Sequence, residues 1–411
     1  MKPTICFGSI PGKATVRWQV IRWIFPLAVL IGAVPASYAL EPPPLPFSRS
    51  GRIPISEFVR LVQESSEPGG YFESDNFTSN EILYLHITGK LQELGISGGA
   101  YIGVGPEQNF SYIAKIRPQI AFIVDIRRQA IIQHLLYKAL FHLADNRAQF
   151  LAWLFSKPVP KIQSKANDPL DQMLNDISHA PTTREAFLAN LATVQRTIEQ
   201  DFSYPLSSED VQNLRYIYNG FWEDNLDIGF RFGVGVRIPG SWGFPSLRDL
   251  ILATGADGRR GNFLAREKDY QFVRKLQEAN RIIPVVGDLA GSKALSAVAD
   301  YLRSHNYSVT AFYVSNVEEY LYANRVFDRF AENVRKLPIS DKSVLIRAVR
   351  AAWNPQTFWA RNDRITPFLQ NVRVFLTDFD KDLFPDYGSL VNTDFIPVTE
   401  QDKEYLPAPA R

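Results

Sequence analysis

An α/β protein built on a mostly parallel sheet is the fold this sequence predicts. Three observations carry that expectation. Residues 99–126 read as strand, glycine turn, helix and strand, the repeating unit of a parallel sheet. The same rhythm returns after residue 280. The long stretch between them reads as mainly helical, with apolar residues at three- and four-residue spacing.

The elements follow in order. Residues 1–39 precede all of this and are compositionally distinct. Residues 40–54, including EPPPLPFSRSGRIP, are proline-rich and read as an extended tether. Residues 55–97 form an N-terminal helical segment. ISEFVRLVQESS places Phe58, Val59, Leu61 and Val62 at helical spacing, and TSNEILYLHITGKLQELG opens on a Thr78 or Ser79 cap followed by Glu81 and stops at Gly95.

Residues 98–128 are the first half of the core: AYIGVG as a buried strand, PEQNFSYIAKIRP as a helix with Pro106 in its first turn, and IAFIVDI as the second strand. Residues 129–279 are a mainly helical insertion, carried by RRQAIIQHLLYKALFHLADNRAQFLAWLF and TREAFLANLATVQRTIEQDF, with DIGFRFGVGVRIP as a glycine-rich strand or loop. An insertion of this kind commonly caps a ligand crevice. Residues 280–411 return to the core, with RIIPVVGDLAG and YSVTAFYVSNVEEYL as strand-and-turn segments, SKALSAVADYLRSHN as a helix, and NVRVFLTDF as a late strand.

Composition narrows the function classes. Of 411 residues, 45% are hydrophobic and 21% charged, which is ordinary for a chain with a sizeable core. The N-terminus carries Lys2, Lys13, Arg17 and Arg22 without an acid. An apolar run from Ile24 to Val34 follows, and then the small residues Ser37 and Ala39. Basic, apolar, small is the layout of an export signal, so a periplasmic or secreted location is expected. The run falls short of the ~20 apolar residues a membrane span needs, although an uncleaved N-terminal anchor is the alternative. Removing residues 1–39 takes the net charge from +2 to slightly negative. A nucleic-acid partner is therefore not expected. The one cysteine, Cys6, lies in the signal, so disulfides and thiolate chemistry are excluded from the processed chain.

The candidate site is the set of strand ends, where parallel sheets bind ligands. Gly103 and Gly105 allow the backbone to bend and approach a ligand. Asp125 ends the second strand, where an acid commonly accepts hydrogen bonds from a ribose diol. Asp288 ends the third strand and Asn316 the fourth. Plainer readings stand beside these: a tight turn without a ligand for the glycines, and helix caps for Asp125 and Asp288. Arg127 and Arg128 either pair with Asp125 or begin a solvated helix face.

This constellation resembles the class I S-adenosylmethionine-dependent methyltransferases. The resemblance implies a Rossmann-like, mostly parallel sheet of that type and S-adenosylmethionine as the cofactor. By position, Gly103 and Gly105 match the loop glycines, Asp125 the ribose acid, Asp288 the adenine-side acid, and Asn316 the polar residue after the fourth strand. Tyr101 stands where that family usually has an acid, and Glu107 where it usually has a third glycine. Asn109 follows in the same loop-and-helix segment.

VGPEQNFSYIAKIRPQIAFIVDIRRQ, VVGDLAG and FYVSNVEEYL also resemble an uncharacterised bacterial family thought to share that core. Glu107 in the first helical turn takes the place a pyrophosphate would occupy, so NAD and FAD are not expected. GDLAGSK departs from the P-loop spacing.

The expectation is an exported protein of unknown function with a methyltransferase-like core whose crevice holds another small ligand or none. The alternatives are an active methyltransferase, anchored or cytoplasmic, and a non-catalytic envelope protein. No metal is expected: His134 and His142 are eight residues apart rather than four, and Asp378, Asp380 and Asp382 lack the glycine and glutamate of a calcium loop.

Overall fold

The computed structural model describes residues 51–158, 169–230, 244–350 and 365–398. The signal segment, the first part of the proline-rich tether and most of the glycine-rich stretch 227–239 lie outside them.

Six strands form one sheet: β1 (Ala100–Gly103), β2 (Ile120–Asp125), β3 (Ile282–Val286), β4 (Val309–Ser315), β5 (Ile339–Arg350) and β6 (Ile365–Asn371). Their order is β3-β2-β1-β4-β5-β6. The first five are parallel, with Ala100 opposite Ile120 and Ile102 opposite Phe312, and β6 runs antiparallel to β5. Every residue of β1, β2 and β3 is buried. Near-continuous apolar strands are what a sheet covered on both faces requires.

Chain progression runs outward from β1 to β3 and then returns to the far side of β1 for β4. The reversal opens a crevice above the carboxyl ends of β1 and β4.

The described part of the connection between β2 and β3 is helical, as its periodicity predicts. The long apolar run breaks into helices Arg128–Leu143 and Arg147–Leu154, because Asn146 leaves helical geometry and its side chain caps the second helix.

Two sequence expectations fail. NVRVFLTDF is not a strand but the helix Val372–Asp380, which Asn371 caps by accepting from the N–H groups of Arg373 and Val374. Its alternation is also compatible with helical spacing, and Val372, Phe375 and Leu376 are the residues it buries. The segment beginning at Thr78 becomes helical only over Thr88–Glu93. Its Ser79 Oγ accepts from the N–H of Glu81 in a local turn, and the Glu81 carboxyl is drawn to β4 instead.

Candidate functional site: a crevice at the strand ends

One side chain shapes the turn after β1. Asn109 Nδ2 lies within hydrogen-bond reach of the carbonyls of Val104, Gly105 and Pro106 at 2.9, 3.1 and 2.9 Å, and its Oδ1 accepts from Tyr101 Oη at 2.8 Å. The bend itself is at Gly105, whose φ is +82°. Gly103 is needed for space: a Cβ there would lie 2.0 Å from Asn109 Oδ1 and 2.8 Å from the Tyr101 ring. Gly103→Ala is therefore expected to destabilise the fold by about 1–3 kcal/mol, measured by urea unfolding. His134 Nε2 reaches the Gly105 carbonyl from beneath at 2.9 Å. Burial lowers its pKa to about 4, so the imidazole is neutral and Nε2 carries the proton it donates.

The turn overhangs a cavity of ≈ 380 Å³. Gly105 and Gln108 from the turn, Asp125 and Arg127 after β2, Asp288 after β3, and Ser315 and Asn316 after β4 line it. The opposite wall comes from Tyr71, Phe72, Asn76, Thr78, Ser79 and Asn80, ahead of β1. From the described part of the insertion 129–279, only Phe230 reaches the cavity. Among the described residues, most of the cover over the strand ends is supplied by residues 71–80. Arg127 Nη1 holds that wall by donating to the carbonyls of Ser74 and Asp75, and Phe72 packs edge-on to Tyr320 at 5.1 Å.

The charges of the site are largely spent on each other. Arg127 donates from Nε, Nη2 and its backbone N–H to the Asp125 carboxylate at 3.1, 2.9 and 3.0 Å, and both side chains are buried. Asp125 is thus neither a helix cap in the usual sense nor a free acceptor pair for a diol. Arg128 turns outward to Asp210 at 2.9 Å. Asp288 is half-buried and accepts from the N–H of Ala290 at 2.9 Å.

Just beyond it, the turn 287–293 is closed to phosphate by its own chain. Glu67 accepts from the N–H groups of Lys293 and Ala294 at 2.8 and 2.7 Å, filling the anion position of the following helix.

Two further carboxyls lie behind the crevice. Glu107 is 5% exposed and borders a separate small void with Tyr137 and Asn262. Its contact with the backbone N–H of Ser79 is long, 3.4 Å, and its Oε2 has no partner. Burial pushes its pKa up to about 7. Glu81 is fully buried, accepts from Tyr313 and Ser315, and is also held above the usual carboxyl range by burial. Ser315 itself sits in the left-handed region, φ +54°, at the tip of β4.

The structure brings four of the eight sequence candidates to the cavity: Gly105, Asp125, Asp288 and Asn316. It places Tyr101, Gly103, Glu107 and Asn109 behind the turn, where Tyr101 and Asn109 lock the loop and Glu107 faces away from the crevice. Sequence reasoning missed Gln108 and the whole wall 71–80. Thr78 and Ser79 were visible only as helix caps, because nothing local signals a segment that folds back over strand ends. Two cavity-lining side chains have buried polar atoms with no partner, Thr78 Oγ1 and Gln108 Oε1.

Among the described residues no cluster of three or more His, Cys, Asp or Glu could hold a metal ion. Asp380 is paired with Arg335 rather than grouped with Asp378 and Asp382. No helix of the described residues is long and apolar enough to cross a membrane.

Residues 76–205 and 244–378 match the model of a family described as Domain of unknown function (DUF7790). The match spans well over half of the chain, which belongs to that family. No curated protein matches it.

Proposed function

We propose, for a chain whose family carries no assigned reaction, that it is an exported protein that binds a small molecule at the carboxyl ends of β1 to β4. The ligand is uncharged, rich in hydrogen-bond donors, and carries a flat or ring-shaped face. The carrying observation is the pair of unpartnered buried atoms, Thr78 Oγ1 and Gln108 Oε1, on side chains that line the cavity. Buried polar atoms are rarely left without a partner, and a bound ligand is one way to supply it. Tyr71, Phe72, Phe230 and Tyr320 offer ring faces, and Arg127, the one cation among the described lining residues, is committed to Asp125. Among the described lining residues no further cation remains to neutralise a phosphate. The export half of the proposal rests on the signal-like residues 1–39.

The strand order, with a final antiparallel strand, supports the Rossmann-like resemblance to the class I methyltransferases. The residues do not fit S-adenosylmethionine in that family's manner. The ribose acid is bound by arginine, Tyr101 replaces the loop acid, and Glu107 faces away from the crevice. Similar architecture does not carry the reaction with it.

Calorimetric titration tests the reading with adenosine, N-acetylglucosamine, AMP and S-adenosylmethionine. Saturable heat is expected from one of the two uncharged probes, at least about tenfold tighter than from AMP, and weakened by Gln108→Ala. Silence from both uncharged probes, or tighter binding of AMP, overturns it. Saturable binding of S-adenosylmethionine replaces it with the methyltransferase reading.

A further inference from the structure

A second cavity, of ≈ 370 Å³, lies beside the amino-terminal end of β3, away from the strand-end crevice. Arg52, Lys138, His142, Lys275, Gln277 and Glu278 are among its lining residues. Its distinctive member is Lys138, which projects from helix Arg128–Leu143 and is 3% exposed. The ammonium donates to the Gln277 carbonyl at 2.5 Å and to Asn280 Oδ1 at 2.7 Å. It lies 4.7 and 5.0 Å from the ring centroids of Phe58 and Phe202. No carboxylate of the described residues pairs with it. A buried ammonium without a counter-ion is costly, and two of its three protons are placed on neutral acceptors.

The surrounding charges point the same way. Arg52 and Lys275 are exposed at the rim and form no ion pair with a described residue. Glu278 is the one acid among the described lining residues, and it pairs with Arg274 at 3.0 Å. His142 faces Asp201 at 3.8 Å. The helix Glu267–Glu278 presents its carboxyl end here, which would repel an anion, but Lys138 occupies its Gln277 carbonyl.

One more atom discriminates between anions. Gln277 is 2% exposed and its Oε1, an acceptor, has no partner. An anion that fits both groups must accept from Lys138 and donate to Gln277.

We infer that this cavity is a site for a protonated oxyanion, of the hydrogen-phosphate type, either free or as the end group of a phosphate monoester. Lys138 is its buried counter-charge, Arg52 and Lys275 its outer ones, and Gln277 Oε1 accepts the oxyanion's own hydroxyl. Burial holds the Lys138 pKa down near 7, which a bound anion would raise again. Sulfate matches phosphate in shape but carries no proton at neutral pH, so the Gln277 acceptor should reject it.

Calorimetric titration of the intact protein at pH 7 with inorganic phosphate, glycerol 3-phosphate and sulfate tests this. Phosphate or its monoester is expected to bind at least about tenfold more tightly than sulfate. The tighter of the two identifies a free or an esterified ligand. Arg52→Ala and Lys275→Ala are each expected to weaken it about twofold to fivefold, as for partly exposed charges. Lys138→Met is expected to abolish it in protein that circular dichroism shows folded. If Lys138→Met does not fold, the two rim variants decide. Equal binding of sulfate, no heat from either phosphate, or an unchanged affinity in both rim variants overturns the proposal.

Discussion

Replacing Asp125 with alanine is expected to remove about 3–5 kcal/mol of stability, read from the urea midpoint. Among the described residues the carboxylate is the only acid that meets the Arg127 guanidinium, and both are buried. Removing it strands a positive charge in the interior beside the strand ends. The damage spreads, because the same guanidinium holds the backbone of Ser74 and Asp75, and so the wall of the crevice. The double variant Asp125→Ala/Arg127→Met is expected to recover part of the loss, since it removes the stranded charge along with its partner. A single variant costing less than about 1 kcal/mol would mean that water reaches the pair, as at a surface ion pair.

The second large effect is a pH dependence that intact protein conceals. Glu107 titrates near 4.5 when unfolded and at about 7 when folded. Between those values the unfolded chain releases a proton that the native state keeps, so this group lowers stability as pH rises from about 4.5 to 7. His134 does the reverse. Its pKa falls from 6.5 to about 4 on folding, so the unfolded chain takes up a proton that the native state refuses, and stability drops as pH falls through that range. The two slopes oppose each other over nearly the same window.

Glu107→Gln removes one of them. Its stability relative to wild type is expected to improve by ~3 kcal/mol between pH 4 and pH 8, at ~1.4 kcal/mol per pH unit of displacement. His134→Gln is expected to show the opposite trend, improving relative to wild type as pH falls from 7 to 4. Glu81, raised by burial in the same direction as Glu107, adds to the fall with rising pH that the His134 variant exposes. Parallel stability–pH curves for wild type and Glu107→Gln would show that the carboxyl is hydrated rather than buried.

The sequence made much of the sheet legible because its signals are local. β1, β2, β3 and β4 are short apolar runs, and the glycine turn, helix and second strand follow one another without interruption. β5 escaped notice. Its first residues, Ser340 to Lys342, are exposed and polar, and its apolar part begins only at Val344. The helix Val372–Asp380 was misread because alternation over five residues does not separate a strand from a helix when the cap at Asn371 goes unrecognised.

The site was half legible for a different reason. Residues at strand ends can be assigned from topology alone, and Gly105, Asp125, Asp288 and Asn316 were. What a side chain does there depends on neighbours far along the chain. Asp125 was open between a diol acceptor, a helix cap and a partner for Arg127, and the pairing is fixed by a guanidinium that also holds the distant carbonyls of Ser74 and Asp75. Glu107 looked like part of the cleft until the helix it precedes turned it toward Tyr137 and Asn262. Residues 71–77 carried no motif, and Thr78 and Ser79 carried only a helix-cap pattern. Their role follows from the anchors Gly70 to Ile126 and Asp75 to Tyr216, which no spacing rule foretells.

The account stands on the crevice being a ligand site rather than a packing gap. A crystal structure of the protein purified from its native compartment, at a resolution that shows ordered water, tests this most directly. The account predicts a bound uncharged molecule above Gly105 in contact with Thr78 Oγ1 and Gln108 Oε1. A crevice closed by the protein's own side chains, with those two atoms bonded to each other or to neighbouring residues, would contradict it.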